Sequence, residues 1–175
     1  MEIVAAAAAD HGKGIIIHND AQHFSAGVDL NAFRAYIEAE DWDGIDGFLD
    51  RFQKAVCALK YTPVPVVGAP SGLAAGGGYE VLAHCDRLVV HTNSVMGLVE
   101  AGVGVVPGGG GIKDTFFRWH AAKDSWDEAA WQTWMNIGYG ATGSSPQLSA
   151  RMMYFRDGQD ETVMNRDRLL PRAIE

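Results

Sequence analysis

The sequence predicts an α/β fold, and three observations carry that expectation. Apolar runs of strand length, at residues 14–19, 64–68 and 87–91, alternate with stretches whose apolar residues recur at helical spacing. Glycine clusters at residues 76–78 and 108–111 punctuate the alternation, and glycine runs permit close approach of backbone to a ligand or another segment. Strands alternating with helices imply right-handed crossovers. There is no internal repeat of clear period and no low-complexity linker, so residues 1–175 read as one domain.

Taken in order, residues 2–10 are Ala-rich and read as the tail of a helix, an opening that points to a piece of a longer chain. Residues 14–19 form a buried strand. A small-residue loop follows and ends at Asp29, a helix N-cap for a short helix over residues 30–38. Residues 39–44 read as a loop. Ile45, Phe48, Leu49, Phe52, Val56 and Leu59 then give a helix with one buried face over residues 45–59. A Pro-punctuated entry leads into the strand at 64–68, and a helix follows over 77–84. Strand 87–91 and a short extended piece at 94–98 come next, then a loop over 102–111. Helices are expected at 110–120, 125–135 and 148–153, before a charged, partly helical tail.

The formal charge of −8 argues against a nucleic-acid partner, because phosphate backbones select Lys/Arg surfaces. No apolar run has the length of a membrane span, and the opening residues lack a signal-peptide pattern; the cytoplasm is the expected compartment. Cys57 and Cys85 lack metal-type spacing and read as buried, reduced thiols. Residues 102–107 fail the dinucleotide pattern at Pro107, and neither Lys13 nor Lys113 completes a P-loop. The histidines show no metal pair, and His84 and His91 read as structural. No serine sits in a nucleophile elbow. Trp119, Trp126, Trp131 and Trp134 read as core or subunit contact.

Two acidic residues stand out, Glu80 and Glu100, in glycine-rich or apolar settings where a carboxylate is costly to bury. A helix beginning at Gly77 aims free N–H groups into whatever lies in front of it. Such amides stabilise an oxyanion, and nearby carboxylates move protons.

The segments HFSAGVDL (23–30), PVVGAPSGLAAGGGYEVLAHCD (65–86) and VMGLVEAGVGVVPGGGG (95–111) together resemble the crotonase family of enoyl-CoA hydratases and isomerases. The likeness extends over about residues 14–155. The segments LKYTPVPVV and TVMNRDRLL resemble the hydratase region of multifunctional 3-hydroxyacyl-CoA dehydrogenase/enoyl-CoA hydratase proteins of fatty-acid oxidation. The resemblance implies a crotonase-like ββα spiral, here without the family's opening strands and part of its C-terminal helices. It implies an acyl-CoA thioester substrate, and either a trimer or hexamer or a dehydrogenase region in the same polypeptide. By position, the N–H groups of Val28 and Gly77 become the oxyanion hole, with Val28 in place of the usual Ala. Glu80 becomes the base that takes a proton from water, and Glu100 the acid that delivers one to Cα. Ala26, Asp29, Leu30 and Gly76 fall on the substrate-binding side. The substrate carries its own coenzyme A, and neither a metal nor another cofactor is expected. Two retained glutamates favour hydration of a 2-enoyl-CoA over isomerisation. A non-catalytic acyl-CoA-binding or assembly fragment, or a spiral with no ligand, are the other readings.

Overall fold

Three turns of one order, strand, strand, helix, are stacked in the computed structural model, which describes residues 12–175. The helix expected over residues 2–10 lies outside the described residues. The first turn runs from β1 (Ile15–His18) through Ser25, which bridges in parallel to Ala74, into α1 (Leu30–Glu38) and α2 (Trp42–Lys60). The second is β2 (Val66–Ala69), β3 (Leu73–Ala75) and α3 (Gly77–Ala83). The third is β4 (Arg87–His91), β5 (Val95–Gly97), a 3-10 turn (Glu100–Val103) and α4 (Gly111–Lys123). There follow α5 (Trp126–Gly138), β6 (Thr142–Gly143), α6 (Pro146–Ala150), β7 (Glu161–Val163), a 3-10 turn (Arg166–Arg168) and α7 (Leu169–Ile174).

The first strand of each turn enters one parallel sheet, in the order β1-β2-β4-β7. The second strands of the later two turns enter another sheet, β3-β5-β6, in which β3 and β5 are parallel and β6 is antiparallel. This is the expected α/β spiral. The repeat is one of topology: the long α1–α2 excursion belongs to the first turn alone, so the sequence carries no fixed period.

Local chemistry explains the element ends. Asp29 caps α1 as expected, its carboxylate accepting from the Asn31 N–H at 2.9 Å. The stretch read as a loop over 39–44 is instead partly helical. Asp41 accepts from the Gly44 N–H at 2.9 Å, and Asp43 lies in the first turn, so α2 starts at Trp42. β2 starts two residues later than expected, at Val66; its N–H, the first free donor after Pro65, bonds the Asp86 carboxylate at 2.8 Å. The strands β6 and β7 lie in segments read as loop and tail, and are only two and three residues long. They exist because β5 and β4 offer them edges.

The main core lies beneath α3. Tyr79 and Leu82 point into it and meet Val66, Leu88, Met96, Leu98 and Tyr154. Arg118 fastens this arrangement, donating to the Tyr79 hydroxyl at 2.8 Å and to the Ala83 and Met153 carbonyls at 3.1 Å. A second cluster joins α7 to the four-stranded sheet through Ala69, Val89, Leu169 and Ala173. The apolar face expected along α2 is fully buried only at Val56 and Leu59; Ile45, Phe48, Leu49 and Phe52 are half-buried. Cys85 is buried as expected, whereas Cys57 is half-buried.

The Asp160 carboxylate, 0% exposed, ties the tail to the sheet. It accepts from the Leu88 N–H at 2.9 Å and from the Arg156 backbone N–H and guanidinium at 2.7–3.0 Å. Replacing Asp160 by Ala should strip a buried donor and a guanidinium of their acceptor and cost roughly 3 kcal/mol or more. The readout is the midpoint of denaturant unfolding. Asp160→Asn, which keeps one oxygen acceptor, should cost less.

Candidate functional site

The helix α3 starts without a side-chain cap, because its N-cap residue, Gly76, has none to offer. Gly76 sits at φ 55° and ψ −129°, backbone space that is open to glycine and closed to other residues. Its N–H donates to the Gly97 carbonyl at 2.9 Å, and its carbonyl accepts from the Glu80 N–H at 3.0 Å. The N–H of Gly77, in the first helical turn, has no partner within the helix.

One turn on, Glu80 is 2% exposed. Its Oε1 accepts two backbone hydrogen bonds from the glycine cluster ahead of α4, from Gly109 at 2.8 Å and Gly111 at 2.9 Å. A Cβ on Gly109 would lie 2.8 Å from Glu80 Oε2, so the loop must be glycine to come this close. Burial pushes the Glu80 carboxyl up to about 7, against the opposing pull of the Gly111 and Gly109 amides and with a further push from the Glu100 charge. His84 steadies the helix end, its Nδ1–H donating to the Glu80 carbonyl at 2.7 Å. It is the structural histidine expected.

Glu100 opens the 3-10 turn after β5 and is half-buried. Its carboxylate lies over Gly76: a Cβ there would fall 3.2 Å from Oε1. Oε2 is buried without a hydrogen-bond partner. Burial raises this carboxyl too, with the Glu100 and Val99 amides pulling the other way.

A hollow of about 350 Å³ opens in front of α3, and Val28, Gly27, Gly77, Gly78, Val81 and Phe52 contribute to its walls. Val28 and Gly77 are neighbours there, since a Cβ on Gly77 would stand 3.3 Å from Val28 Cγ1. Of the other positions expected on the substrate side, Ala26, Asp29 and Leu30 are exposed and Gly76 is buried, and none of the four lines the hollow. Glu80 and Glu100 do not line it either. The ring of Phe52 stands at that boundary, 3.5 Å from a Cβ built on Gly77 and 2.3 Å from one built on Gly109.

Sequence reasoning picked out Glu80, Glu100, Val28 and Gly77, and the structure gathers all four around the start of α3. It missed the Gly109 and Gly111 donors, although their cluster was visible, and it missed Phe52, whose helical spacing marked it only as core. A larger cavity of about 650 Å³ lies behind α3, where Lys60, Asp114, Arg118 and Arg156 contribute to its walls. It includes none of the expected site residues, and these charges are engaged with protein partners. Trp119 is buried, while Trp126, Trp131 and Trp134 are more than half exposed rather than core, and none lines either cavity. Among the described residues no cluster of His, Cys, Asp and Glu could hold a metal ion, and no helix is long and apolar enough to cross a membrane.

Comparison with known proteins bears on the family and the fold. The chain is 33% identical over 158 residues, 90% of its length but 20% of the relative's, to the "Probable 3-hydroxyacyl-CoA dehydrogenase" of Bacillus subtilis (strain 168). It is 33% identical over 102 residues, 58% of its length and 14% of the relative's, to the fatty acid oxidation complex subunit alpha of Idiomarina loihiensis. The chain thus spans about a fifth or less of these curated relatives. The crystal structure of an enoyl-CoA hydratase from Bacillus anthracis superposes with a TM-score of 0.80 at 20% identity, covering 99% of this chain and 60% of that one, which establishes the shared fold. The family model described as "Enoyl-CoA hydratase/isomerase" matches residues 3–119, and the chain belongs to that crotonase family.

Proposed function

We propose that this chain is an enoyl-CoA hydratase-type unit that adds water across 2-enoyl-CoA thioesters in fatty-acid β-oxidation. The observation that carries the reading is the Glu80 carboxyl, buried against two backbone amides with the Glu100 charge beside it and poised at about 7. A carboxyl held near neutrality by burial and a second acid suits proton transfer and serves no purpose in packing.

In this reading the acyl thioester enters the hollow with its carbonyl oxygen against the Val28 and Gly77 amides. These donors take up the charge that develops on oxygen, each lowering the barrier by roughly 3 kcal/mol. Polarisation of the carbonyl makes Cβ electrophilic. Glu80 takes a proton from water as its oxygen adds to Cβ, and Glu100 delivers a proton to Cα. The reactive form holds one proton between the two carboxyls. The substrate supplies its own coenzyme A, and these steps require neither metal nor a further cofactor. The dehydrogenase named in the Bacillus subtilis relative makes a longer multifunctional polypeptide the natural setting for such a unit; self-association as a trimer or hexamer is the other arrangement proposed.

One observation favours a second reading, an acyl-CoA-binding unit without turnover: neither carboxylate is among the residues that line the hollow. Turnover separates the two. Glu80→Gln should lower kcat/KM for a short 2-enoyl-CoA by about 10²–10⁴, and an unchanged rate would reject the role given to Glu80. Binding of the thioester with no hydration by the unaltered chain would favour the second reading.

The pH dependence follows from the same pair. When both carboxyls are protonated there is no base, and when both are ionised there is no acid. A plot of kcat/KM against pH should therefore be bell-shaped. Its alkaline limb should fall near 7, where the pair loses its last shared proton, and its acid limb above the ordinary carboxylate range because both carboxyls are raised. A profile flat from pH 5 to 8 would contradict this.

Stability should move as well. The unfolded chain releases the Glu80 proton near 4.5, whereas the folded chain keeps it to about 7. Between those values the native state binds more protons, so stability should fall as pH rises, by about 3 kcal/mol across the window, and level off above it. Glu80→Gln should remove this slope and melt higher than the unaltered chain at pH 8.

A further inference from the structure

Phe52 stands on α2, which the first turn of the spiral contributes, yet it reaches the glycines of the other two turns. Its ring edge covers Gly77, where the proposed oxyanion donor lies, and also Gly109, which holds the Glu80 carboxylate. The Gly109 Cα is the common point: the Phe52 ring and Glu80 Oε2 both crowd the same side of it. The ring lines the hollow together with Val28 and Gly77, whereas Glu80, which it approaches at Gly109, is not among the lining residues.

α2 is buried unevenly along its length. Val56 and Leu59, at its C-terminal end, are buried in the molecule; the turns carrying Phe48, Leu49 and Phe52 are half-buried. There the helix touches the glycine loop through Leu49 packed on Gly108 and through one side-chain bond, Gln53 Nε2 donating to the Gly108 carbonyl at 2.7 Å. Phe48 and Phe33 back the ring, with centroids 6.5 Å from Phe52 to Phe48 and 5.1 Å from Phe48 to Phe33. A phenylalanine ring over glycine can move between staggered χ1 wells and turn about its broad χ2 without displacing backbone.

We propose that Phe52 is a specificity-determining residue: its ring partitions the acyl hollow from the Glu80–Glu100 pair, and it admits an enoyl group to them only by swinging aside. The inference rests on the hydratase reading for its substrate class. A thioester whose carbonyl meets Val28 and Gly77 must pass its Cα and Cβ through the space the ring occupies. Groups that broaden the acyl chain at Cβ should be excluded most.

The test compares kcat/KM for 2-butenoyl-CoA and for its β-branched analogue, 3-methyl-2-butenoyl-CoA, in the unaltered chain and in Phe52→Ala, Phe52→Leu and Phe52→Trp. Phe52→Ala should raise the branched-to-straight ratio about tenfold or more, the scale on which a pocket senses one carbon. Phe52→Leu should move it the same way by less, and it decides the matter if the alanine variant does not fold. Phe52→Trp should lower the ratio. A ratio unchanged within about twofold in every folded variant, even with lower rates throughout, would overturn the proposal, because the ring would then only support the helix. Failure of the hydratase reading looks different: no variant, and not the unaltered chain, turns over either thioester. The partition is then judged by carbon-13 NMR titration of Glu80. Admitting water in Phe52→Ala should bring its midpoint down toward the ordinary carboxyl range, and an unmoved midpoint would overturn the partition as well.

Discussion

The burial of one carboxylate governs the rest of this structure. Glu80 is enclosed at the start of α3, and the chain around it is shaped to make that enclosure tolerable. Two amides of the 108–111 cluster converge on a single oxygen, which requires that loop to press directly against α3. Residues with side chains would hold it away, so the glycines there follow from the carboxylate. The compensation is incomplete. Two hydrogen bonds to the charged form oppose the rise, and desolvation still dominates. A fold selected for stability alone would place an apolar residue here, as it does at the neighbouring Tyr79 and Leu82. The protein carries an energetic burden at Glu80, and the proposed proton transfer would account for it.

Much of this was legible because the chemistry leaves marks in sequence. A carboxylate among apolar residues and a glycine run before a helix are local features, and both lie between residues 65 and 111. The strand at 87–91 and the cap at Asp29 are equally local, and the structure places them as read. The failures have a shared cause. Asp41 caps α2 through a carboxylate in a stretch crowded with acids, where no single one announced itself. The short strands β6 and β7 exist through partners distant in sequence. Ala26, Asp29 and Leu30 were transferred by position along the chain, but the left-handed Gly27 (φ 97°) redirects the backbone, and the residues of that loop that line the hollow are Phe24, Ser25, Gly27 and Val28. Phe52 had the spacing of a core residue, and nothing along α2 tells that the surface it meets is two glycine backbones.

The stacking of turns explains how Glu80 and Glu100 meet at all. β3 and β5 are parallel neighbours with Ala75 opposite Gly97, so whatever follows each strand emerges at the same end of the sheet. The chain after β3 becomes Gly76 and the start of α3; the chain after β5 becomes the turn that begins with Glu100. The bond from the Gly76 N–H to the Gly97 carbonyl closes the junction between them. One carboxylate arrives five residues beyond its strand by way of a helical turn, the other three residues beyond its own. Parallel pairing alone brings them together, with no long-range feature of sequence required. This is the general advantage of the strand C-terminal edge as a place for sites.

The wall in front of those carboxylates has a different origin. Phe52 comes from α2, outside the strand stack, and the first turn of the spiral is the one with an added helix. The register of β3 against β5 fixes the acids and the amide of Gly77, and any change there would disturb both at once. Changes on the exposed half of α2 leave that register untouched. In the proposed reaction the two demands on the site would thereby be separated in the chain: the proton-handling groups would be bound to the sheet, and the surface meeting the acyl group would be carried on a helix outside it. A fold arranged this way can keep one reaction while its acyl selectivity drifts, because the residues responsible answer to different packing constraints.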